Sequence, residues 1–320
     1  MNSRQTIGAT TLAVSPLCLG GNVFGWTADE DTSFAVLDAY VAAGGNFIDT
    51  ANMYSAWVPG HEGGESEAVI GRWCASRGNR DDVVIATKVG MQGGPDQPKG
   101  LTRDMIRAGV EASLRRLQTD HIDLYYAHED DAETPLLETM TAFDELVHEG
   151  LVRAVGASNY SAARLRQALD VSTQHGLTRY AALQPQYSLL ARDDFESGLA
   201  ALCETERIAV APYWVLARGF LSGKYRADGP LPTSPRATGI AADYMNDRGW
   251  AVLDAVDQVA QAHDATVSQV ALAWALAQPA VVAPIVSATS PDQVAELVGA
   301  AALALSSDEL ADLDAASTTR

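Results

Sequence analysis

The chain has 320 residues, of which 47% are hydrophobic and 20% are charged, so it can bury the core of one large α/β domain or of two ordinary domains. Its formal net charge of −19 argues against nucleic acid or an anionic membrane surface as a partner, because both would repel an acidic protein. The three cysteines, Cys18, Cys74 and Cys203, lie far apart, which favours a reducing cytoplasm over a disulfide framework or a zinc site.

The N-terminus and the most apolar stretch carry no signal for export or membrane insertion. Residues 1–16 contain one arginine and no long apolar core, so we expect no signal peptide. The run 267–286 is interrupted by glutamine and proline residues. It therefore indicates a buried helix followed by a strand rather than a membrane span.

The first predicted element is a small β-hairpin, formed by 6–8 and 12–14 and turning at 10–11, which serves as a lid or a plug. After it, short apolar runs alternate with segments whose apolar residues repeat at helical spacing. Strands are predicted at 16–19, 47–49, 83–87, 122–127, 153–155, 181–184, 208–212 and 281–285. Helices are predicted at 31–43, 66–76, 102–117, 134–147, 161–175, 193–206, 244–263, 267–277 and 291–300, with long connections at 90–100 and 213–243.

Two of these helices have clear start signals. Thr102 is a typical N-cap, and Thr134-Pro135 has the favoured order of a cap followed by proline. Eight strand–helix units in about 300 residues predict a (β/α)8 barrel, and we find no domain boundary within 1–320. The main competitor is a doubly wound sheet, but the turn Gly20-Gly21-Asn22-Val23-Phe24-Gly25 lacks the GxGxxG spacing of that fold.

Three successive predicted strands end in residues that handle protons. Asp49 ends the strand 47–49 and Tyr54 follows it in a loop, Lys88 ends the third strand, and His128 follows the run 122–127. In a barrel these strand ends meet at one face, where active sites lie. A tyrosine near pKa 10 is a poor acid, but a nearby ammonium lowers that pKa and a buried carboxylate can hold the ammonium. We therefore expect Tyr54 to act as a general acid supported by Lys88 and Asp49.

Other chemistries find fewer candidates in the sequence. No nucleophile is paired with a base, and there is neither a HExxH motif nor a ligand-spaced group of acids and histidines, so no metal is expected. A lysine directly after an apolar strand is also compatible with a Schiff base, which leaves a barrel aldolase as an alternative. A cofactor-binding regulatory subunit without turnover is a third hypothesis.

The ordered motifs resemble the aldo-keto reductase family over essentially the whole chain. Residues 49–54 match its Asp-Thr-Ala-x-x-Tyr motif, residues 122–128 match the run before its histidine, and 156–159 match its Gly-x-Ser-Asn. The segment 216–225 resembles the pyrophosphate-binding loop of the branch that includes the potassium-channel β subunits. The resemblance implies a (β/α)8 barrel, NAD(P)H as cofactor, and reversible reduction of carbonyls by a catalytic set of Asp49, Tyr54, Lys88 and His128.

The resemblance also implies a nucleotide site. It assigns the cofactor contacts to Gly21, Asn22, Asp49, Ser158, Asn159, Gln184, Tyr213, Trp214, Leu216, Arg218, Gly219, Lys224, Arg236, Ser287, Thr289, Gln293 and Glu296. The chain departs from the family pattern in two places. Trp214-Val215 replaces a common Ser-Pro, and Leu297 replaces an expected asparagine. Since 287–297 contains no lysine or arginine, a 2′-phosphate must be bound by Lys224 and Arg236. We expect NADP, with NAD as the alternative.

The partner is expected to be a small-molecule carbonyl compound, and a monomer is the default. Sugars, aliphatic carbonyls and aromatic carbonyls all remain open as substrates. The segment 57–59, which begins with Trp57, either lines the substrate pocket or forms a surface loop.

Overall fold

The computed structural model describes residues 1, 3–93 and 99–318. Residues 94–98 of the connection predicted at 90–100 lie outside this set. The strands are β1 (Gln5–Thr6), β2 (Ala13–Val14), β3 (Cys18–Gly20), β4 (Phe47–Asp49), β5 (Val84–Val89), β6 (Ile122–Ala127), β7 (Val152–Ser158), β8 (Ala182–Gln184), β9 (Ala209–Val210) and β10 (Ile285–Val286). The α-helices are α1 (Glu30–Ala42), α2 (Glu65–Arg77), α3 (Arg103–Leu117), α4 (Leu136–His148), α5 (Ala162–His175), α6 (Ala200–Glu206), α7 (Ala237–Tyr244), α8 (Asp247–Ala262), α9 (Val267–Leu276), α10 (Pro291–Val298) and α11 (Ser307–Ser317).

The main sheet is a ring of parallel strands. Within the described residues its order is β10-β3-β4-β5-β6-β7-β8-β9. The ring closes between β9 and the segment that leads into β10. Val210 of β9 bridges Val281, and the Ile285 amide of β10 donates to the Pro212 carbonyl at 2.8 Å. The predicted (β/α)8 barrel is therefore confirmed. Among the described helices, none is both long and apolar enough to cross a membrane.

Alternation along the strands divides the core into an interior and an outer layer. Cys18, Phe47, Val84 and Leu124 pack together inside the barrel, whereas their chain neighbours on the other face, such as Ile48, pack against the helices. Because side chains repeat their direction every two residues, positions two or four residues further along these strands also point inward. Those positions lie at the carboxyl end of the barrel.

The N-terminal hairpin closes the opposite end. β1 and β2 pair antiparallel, and Ile7, Leu12 and Val14 are buried in the same interior cluster as Phe47. A Cβ atom at Gly8 would lie 2.5 Å from the carbonyl oxygen of Ala181, so the turn approaches the barrel backbone too closely for a side chain. The hairpin is a plug at the amino-terminal end and does not cover the other opening.

Local signals explain why most helices begin where predicted. The Thr102 hydroxyl accepts a hydrogen bond from the Met105 amide at 3.4 Å, which confirms it as the N-cap of α3. The expected start at Thr134-Pro135 is wrong by one position, since Pro135 itself occupies the cap of α4. The reason is that the Thr134 hydroxyl is used elsewhere and donates to the Asp131 carboxylate at 2.6 Å.

Several predicted boundaries in the second half of the chain are also wrong. The connection 213–243 contains most of α7, and α8 begins only after Asn246, whose side chain caps it by accepting from the Gly249 amide at 2.9 Å. The helix predicted at 193–206 is interrupted at Gly198. Of the strand predicted at 281–285, only Ile285 belongs to β10, which extends to Val286. Helix α11 was not predicted.

Candidate active site

A cavity of about 420 Å³ opens at the carboxyl end of the barrel. The ends of β4, β6, β7 and β8 supply its floor, and the connection after β9 supplies much of its rim. Of the residues predicted for catalysis or cofactor binding, its wall contains Asn22, Asp49, Tyr54, His128, Ser158, Asn159, Gln184, Tyr213, Trp214, Leu216, Arg218, Gly219, Arg236 and Ser287. The barrel thus brings together side chains that are separated by up to 265 positions in the sequence.

A second cavity of about 370 Å³ shares part of this wall. The common residues are Leu216, Arg218, Gly219, Arg236 and Ser287. Lys224, Thr289, Gln293 and Glu296 line the second cavity alone. The two cavities therefore form an elongated depression that runs from the strand ends towards α10.

Two predicted site residues lie outside both cavity walls. Gly21 packs behind the first cavity, where its amide donates to the Asp49 carbonyl at 2.7 Å. The preceding residue, Gly20, lines the cavity instead. Lys88 is fully buried beneath the floor and reaches the cavity only through the groups that it bonds.

Lys88 uses all of its hydrogen-bonding capacity inside the protein. Its ammonium nitrogen donates to Asp49 Oδ2 at 2.7 Å, to the Thr50 carbonyl at 2.7 Å and to the Tyr54 hydroxyl at 2.9 Å. An ammonium has three N–H donors, so none is left over. Burial lowers the pKa of Lys88, and the charge of Asp49 opposes that shift. A buried, fully bonded ammonium is poorly suited to attack a carbonyl, which argues against a Schiff base at Lys88.

Asp49 joins three side chains at the floor. Its Oδ2 accepts from Lys88 and, at 3.2 Å, from the Tyr54 hydroxyl. Its Oδ1 accepts from Gln184 Nε2 at 2.8 Å. Asp49 is 1% exposed, and a buried carboxylate needs such partners to remain charged. The strands β4, β5 and β8 are thereby linked through one carboxylate.

Tyr54 is a neutral phenol in this arrangement. Burial raises its pKa well above the ordinary value, and the negative charge of Asp49 raises it further. The expected net lowering of this pKa is not found. Lys88 donates to the phenol oxygen at 2.9 Å, but burial and the contact with Asp49 outweigh that contact. A neutral phenol is the form that can donate a proton.

His128 lies beside Tyr54, with ring centroids 6.1 Å apart in an edge-to-face arrangement. Burial, and secondarily the charge of Lys88, holds the pKa of His128 well below its usual range. The imidazole is therefore neutral near pH 7. Its Nδ1 atom is buried and has no hydrogen-bond partner among the described residues.

The ends of β7 to β9 form a polar rim. The Ser158 hydroxyl donates to the Gln184 carbonyl at 2.8 Å, and Asn159 Nδ2 donates to the His128 carbonyl at 2.9 Å. The Tyr213 hydroxyl donates to Asn159 Oδ1 at 2.7 Å. Asn159 adopts a left-handed conformation with φ 57°, which asparagine tolerates better than most residues. The rim therefore holds its amides and hydroxyls in fixed positions.

The connection after Tyr213 is a series of tight turns. Trp214 has φ 56°, Ala217 46° and Arg218 59°, conformations that are unfavourable for residues with a side chain. The turns are closed by hydrogen bonds from the Ala217 amide to the Trp214 carbonyl at 2.7 Å and from the Gly219 amide to the Leu216 carbonyl at 2.8 Å. Strained backbone of this kind is concentrated at functional sites.

Three cationic side chains line this depression. Arg218 pairs with Asp243 at 2.6 Å, and Arg236 lies with its guanidinium 5.4 Å from the Trp26 ring centre. Burial, together with the charge of Arg218, lowers the pKa of Arg236. Lys224 lines the second cavity. Such a group of cations favours an anionic ligand.

Three further side chains that were predicted to contact the cofactor form hydrogen bonds within the protein. The Ser287 hydroxyl donates to Asn22 Oδ1 at 2.6 Å, and Gln293 Oε1 accepts from the Thr289 amide at 2.8 Å. Glu296 accepts from the Thr266 hydroxyl at 2.9 Å. In the part of the chain that the structure describes, no three histidine, cysteine, aspartate or glutamate side chains are arranged to hold a metal ion.

Several lining residues were missed by the sequence reasoning, namely Gly20, Met53, Met91, Val215, Ile285 and Val286. Gly20 follows the inward alternation of β3, and Met53 is adjacent to Tyr54, so both were accessible from pattern alone. Ile285 and Val286 form β10, and Met91 and Val215 depend on how loops fold over the barrel. Trp57, for which a pocket wall and a surface loop were both open, lines the first cavity and is 44% exposed.

A (β/α)8 barrel with a polar cluster and a deep cavity at the carboxyl ends of its strands has the architecture of a barrel enzyme. Residues 16–318 match the Aldo/keto reductase family, and the chain belongs to that family. The predicted resemblance is thereby confirmed.

Curated relatives agree with this assignment. The chain is 34% identical to norsolorinic acid reductase of Aspergillus flavus over 315 residues, which cover 94% of this chain and 77% of the relative. It is also 34% identical to protein tas of Escherichia coli, over 96% of this chain and 95% of that protein. The oxidoreductase YrpG of Bacillus subtilis is 34% identical over 95% of this chain and 92% of its own length. The protein is therefore an oxidoreductase.

Proposed function

We propose that the protein is an NADP-dependent reductase that converts aldehyde or ketone carbonyls to alcohols, reversibly, with Tyr54 as the general acid. The observation that carries the proposal is the set of Tyr54, Lys88 and Asp49 at the floor of the first cavity, joined by hydrogen bonds of 2.9 and 2.7 Å. Membership of the Aldo/keto reductase family supports the reaction class.

The side chains that line the paired cavities support a nicotinamide nucleotide as the ligand. Ser158, Asn159 and Gln184 offer hydroxyl and amide groups at the floor of the first cavity and would hold the nicotinamide amide, with the Tyr213 ring against the nicotinamide. In a chain of net charge −19, the cations on the shared wall favour an anionic pyrophosphate. When bound, a reduced nicotinamide supplies hydride to the carbonyl carbon.

The proton step follows from the hydrogen bonds of Tyr54. The neutral phenol donates its proton to the carbonyl oxygen as negative charge develops there. The phenolate that remains is 2.9 Å from the Lys88 ammonium, which stabilises it in a buried site. Asp49 keeps Lys88 in position through the 2.7 Å ion pair. In the oxidation direction the same phenolate accepts the proton of the alcohol.

In this proposal His128 orients the substrate carbonyl. Because its imidazole is neutral, it can donate one hydrogen bond without competing as an acid. Its ring lies edge-to-face with Tyr54, so both side chains face the same carbonyl oxygen. His128 thus fixes the substrate relative to the phenol.

The preference for NADP rests on Lys224 and Arg236. Both line the second cavity, and both carry a charge that suits a 2′-phosphate. No lysine or arginine occurs in 287–297, the opposite side of that cavity.

We propose further that the partner is a small-molecule carbonyl compound, that the protein acts as a monomer, and that it is cytoplasmic. Its cysteines, Cys18, Cys74 and Cys203, are all free and buried, which suits a reducing compartment.

The direct test is substitution of the acid. Tyr54→Phe removes one hydroxyl and should lower carbonyl reduction on the order of 10²–10⁴-fold, while NADPH binding stays within about twofold, since the ring and its packing remain. Turnover is followed by NADPH oxidation, and binding by fluorescence titration.

The matched control is Tyr160→Phe, the same chemical change at a buried tyrosine whose hydroxyl contacts Tyr180 at 3.3 Å. This variant should keep the wild-type turnover. Equal turnover of the wild type and Tyr54→Phe would remove Tyr54 from the proposed role.

A further inference from the structure

The wall of the first cavity is chemically divided. The ends of β7 and β8 contribute the polar residues Ser158, Asn159 and Gln184, whereas Met53 and Trp57 of the Tyr54 loop, together with Met91, contribute apolar surface. If the polar side receives the nicotinamide, as proposed above, then the apolar side and the rim at Trp214 are left for the substrate.

Aromatic rings are arranged in series along this apolar side. Trp26 packs edge-on against Trp57 with centroids 5.5 Å apart, and Trp57 packs against Tyr54 at 6.0 Å. Tyr54 in turn packs against His128 at 6.1 Å. These distances and edge-to-face angles are those of favourable aromatic pairs. The series ends at the two side chains that face the carbonyl oxygen.

Two tryptophans on the wall of the first cavity have large exposed surfaces. Trp57 is 44% exposed and Trp214 is 40% exposed, and both line the first cavity. Large aromatic side chains normally bury most of their surface. Exposed aromatic surface at the mouth of a cavity is typical of a ligand-binding site.

Local contacts position both tryptophans. Ser55 has φ 75°, and its buried hydroxyl donates to the Phe24 carbonyl at 3.3 Å, which joins the Trp57 loop to the loop that carries Trp26. Trp214 has φ 56°, and the Arg218 guanidinium lies 5.1 Å from its ring centre. A side chain that is already positioned loses less entropy when a ligand binds, so these contacts favour binding at the two rings.

We propose that the substrate is a carbonyl compound with a planar aromatic body, whose ring packs against Trp57 and Trp214 while its carbonyl group meets Tyr54 and His128. This inference rests on the proposed reductase function and narrows its substrate class. A sugar is disfavoured, because its hydroxyl groups would be desolvated against Met53, Trp57 and Met91 without hydrogen-bond partners. The two methionines can adapt to aromatic bodies of different size.

The test compares aldehydes in the NADPH oxidation assay, using the full chain. The probes are 2-naphthaldehyde, benzaldehyde, cyclohexanecarbaldehyde and glyceraldehyde, each with the wild type, Trp57→Ala and Trp57→Phe. Cyclohexanecarbaldehyde has nearly the size of benzaldehyde but no π face. Ratios of variant to wild type are used, because intrinsic carbonyl reactivity cancels in them.

We expect Trp57→Ala to lower kcat/KM for 2-naphthaldehyde about tenfold and to change kcat/KM for glyceraldehyde by less than about twofold. Trp57→Phe should recover most of the loss, since it restores an aromatic face. Leu137→Ala is the control, because Leu137 is 42% exposed on α4 and lines neither of the two cavities. It should behave as the wild type with every aldehyde.

Two outcomes would overturn the inference while leaving the proposed function intact. One is a Trp57→Ala variant whose kcat/KM for 2-naphthaldehyde stays within about twofold of the wild type. The other is a Trp57→Ala variant that loses the same factor with all of the aldehydes, which would indicate a general structural defect. Absence of NADPH oxidation with every aldehyde would instead contradict the proposed function itself.

Discussion

The two ends of the barrel are built from the same strands but differ in chemistry. At the amino-terminal end, Phe47 and Val84 pack against Ile7 and Val14 of the hairpin plug. Two residues beyond Phe47 lies Asp49, and four residues beyond Val84 lies Lys88, and these form a buried ion pair of 2.7 Å. Along β4 and β5, one or two inward-facing positions therefore separate the apolar, plugged end of the barrel from the charged, open end.

The two ends of the barrel contribute differently to stability and to activity. Inside the plugged end, Ile7, Leu12 and Val14 pack against apolar strand residues, and burial of this apolar surface stabilises the fold. The open end keeps a buried ion pair, whose desolvation offsets much of its attraction. Substitutions at the two ends should therefore separate stability from activity.

The largest effect is expected at Lys88. Lys88→Met leaves the Asp49 carboxylate buried without its cation, so the free energy of unfolding should fall by about 3–5 kcal/mol. Carbonyl reduction should fall on the order of 10²–10⁴-fold as well. Urea unfolding and NADPH oxidation measure the two effects.

The double variant Asp49→Asn, Lys88→Met serves as the control for stability. It removes both charges, so it should be more stable than Lys88→Met alone. If the double variant instead loses the sum of the two single losses, the pair does not act as a unit.

A smaller effect, confined to stability, is expected at the plugged end. Gly8 has φ +52° and no room for a Cβ, so Gly8→Ala should lower the free energy of unfolding by about 2–4 kcal/mol. Gly176, with φ +66° and open space within 4 Å of the point that a Cβ atom would occupy, is the matched control, and Gly176→Ala should cost about 1–2 kcal/mol. Turnover of folded Gly8→Ala should equal that of the wild type; a large fall in turnover would contradict the division between the ends.

The smallest effect is a pH dependence at the open end. The pKa of His128 is well below its unfolded value near 6.5, so the unfolded chain binds a proton that the folded site does not. The stability due to neutral His128 is complete above pH 6.5. It should fall by about 1.4 kcal/mol per pH unit as the pH decreases from 6.5 towards the folded pKa.

His128→Asn should remove this contribution, which is measured as the difference in unfolding free energy between variant and wild type at pH 5.0 to 7.5. Leu137→Ala, at a position 42% exposed on α4, is the control and should keep the wild-type slope. An unchanged slope in His128→Asn would mean that His128 is protonated in the folded protein near pH 6.

Much of this architecture follows from local sequence signals. The alternation of strands and helices predicted the barrel, and the inward period of two along β4 and β5 brings Asp49 and Lys88 together. The strand ends at Asp49 and Ala127 were predicted at their observed positions. These features depend on short-range periodicity, which a single sequence reveals.

Other features depend on tertiary contacts that no local pattern contains. The raised pKa of Tyr54 results from burial and from the charge and hydrogen bond of Asp49, which depend on how the Tyr54 loop folds over the strand ends. The turns at Trp214 and Ala217 adopt left-handed conformations that their residue types disfavour. Helix α11 has a clear capping box at Ser306 and Glu309, so that signal was present and overlooked.

The most direct measurement is a fluorescence titration of the protein with NADPH and with NADH, since Trp26, Trp57 and Trp214 all line the two cavities. We expect tighter binding of NADPH, weakened about tenfold by Arg236→Ala while NADH binding changes by less than about twofold. Arg226→Ala is the control, because Arg226 pairs with Asp257 at 3.5 Å and should leave both affinities unchanged. Equal affinities would contradict the NADP preference, and no binding of either nucleotide would contradict the reductase function.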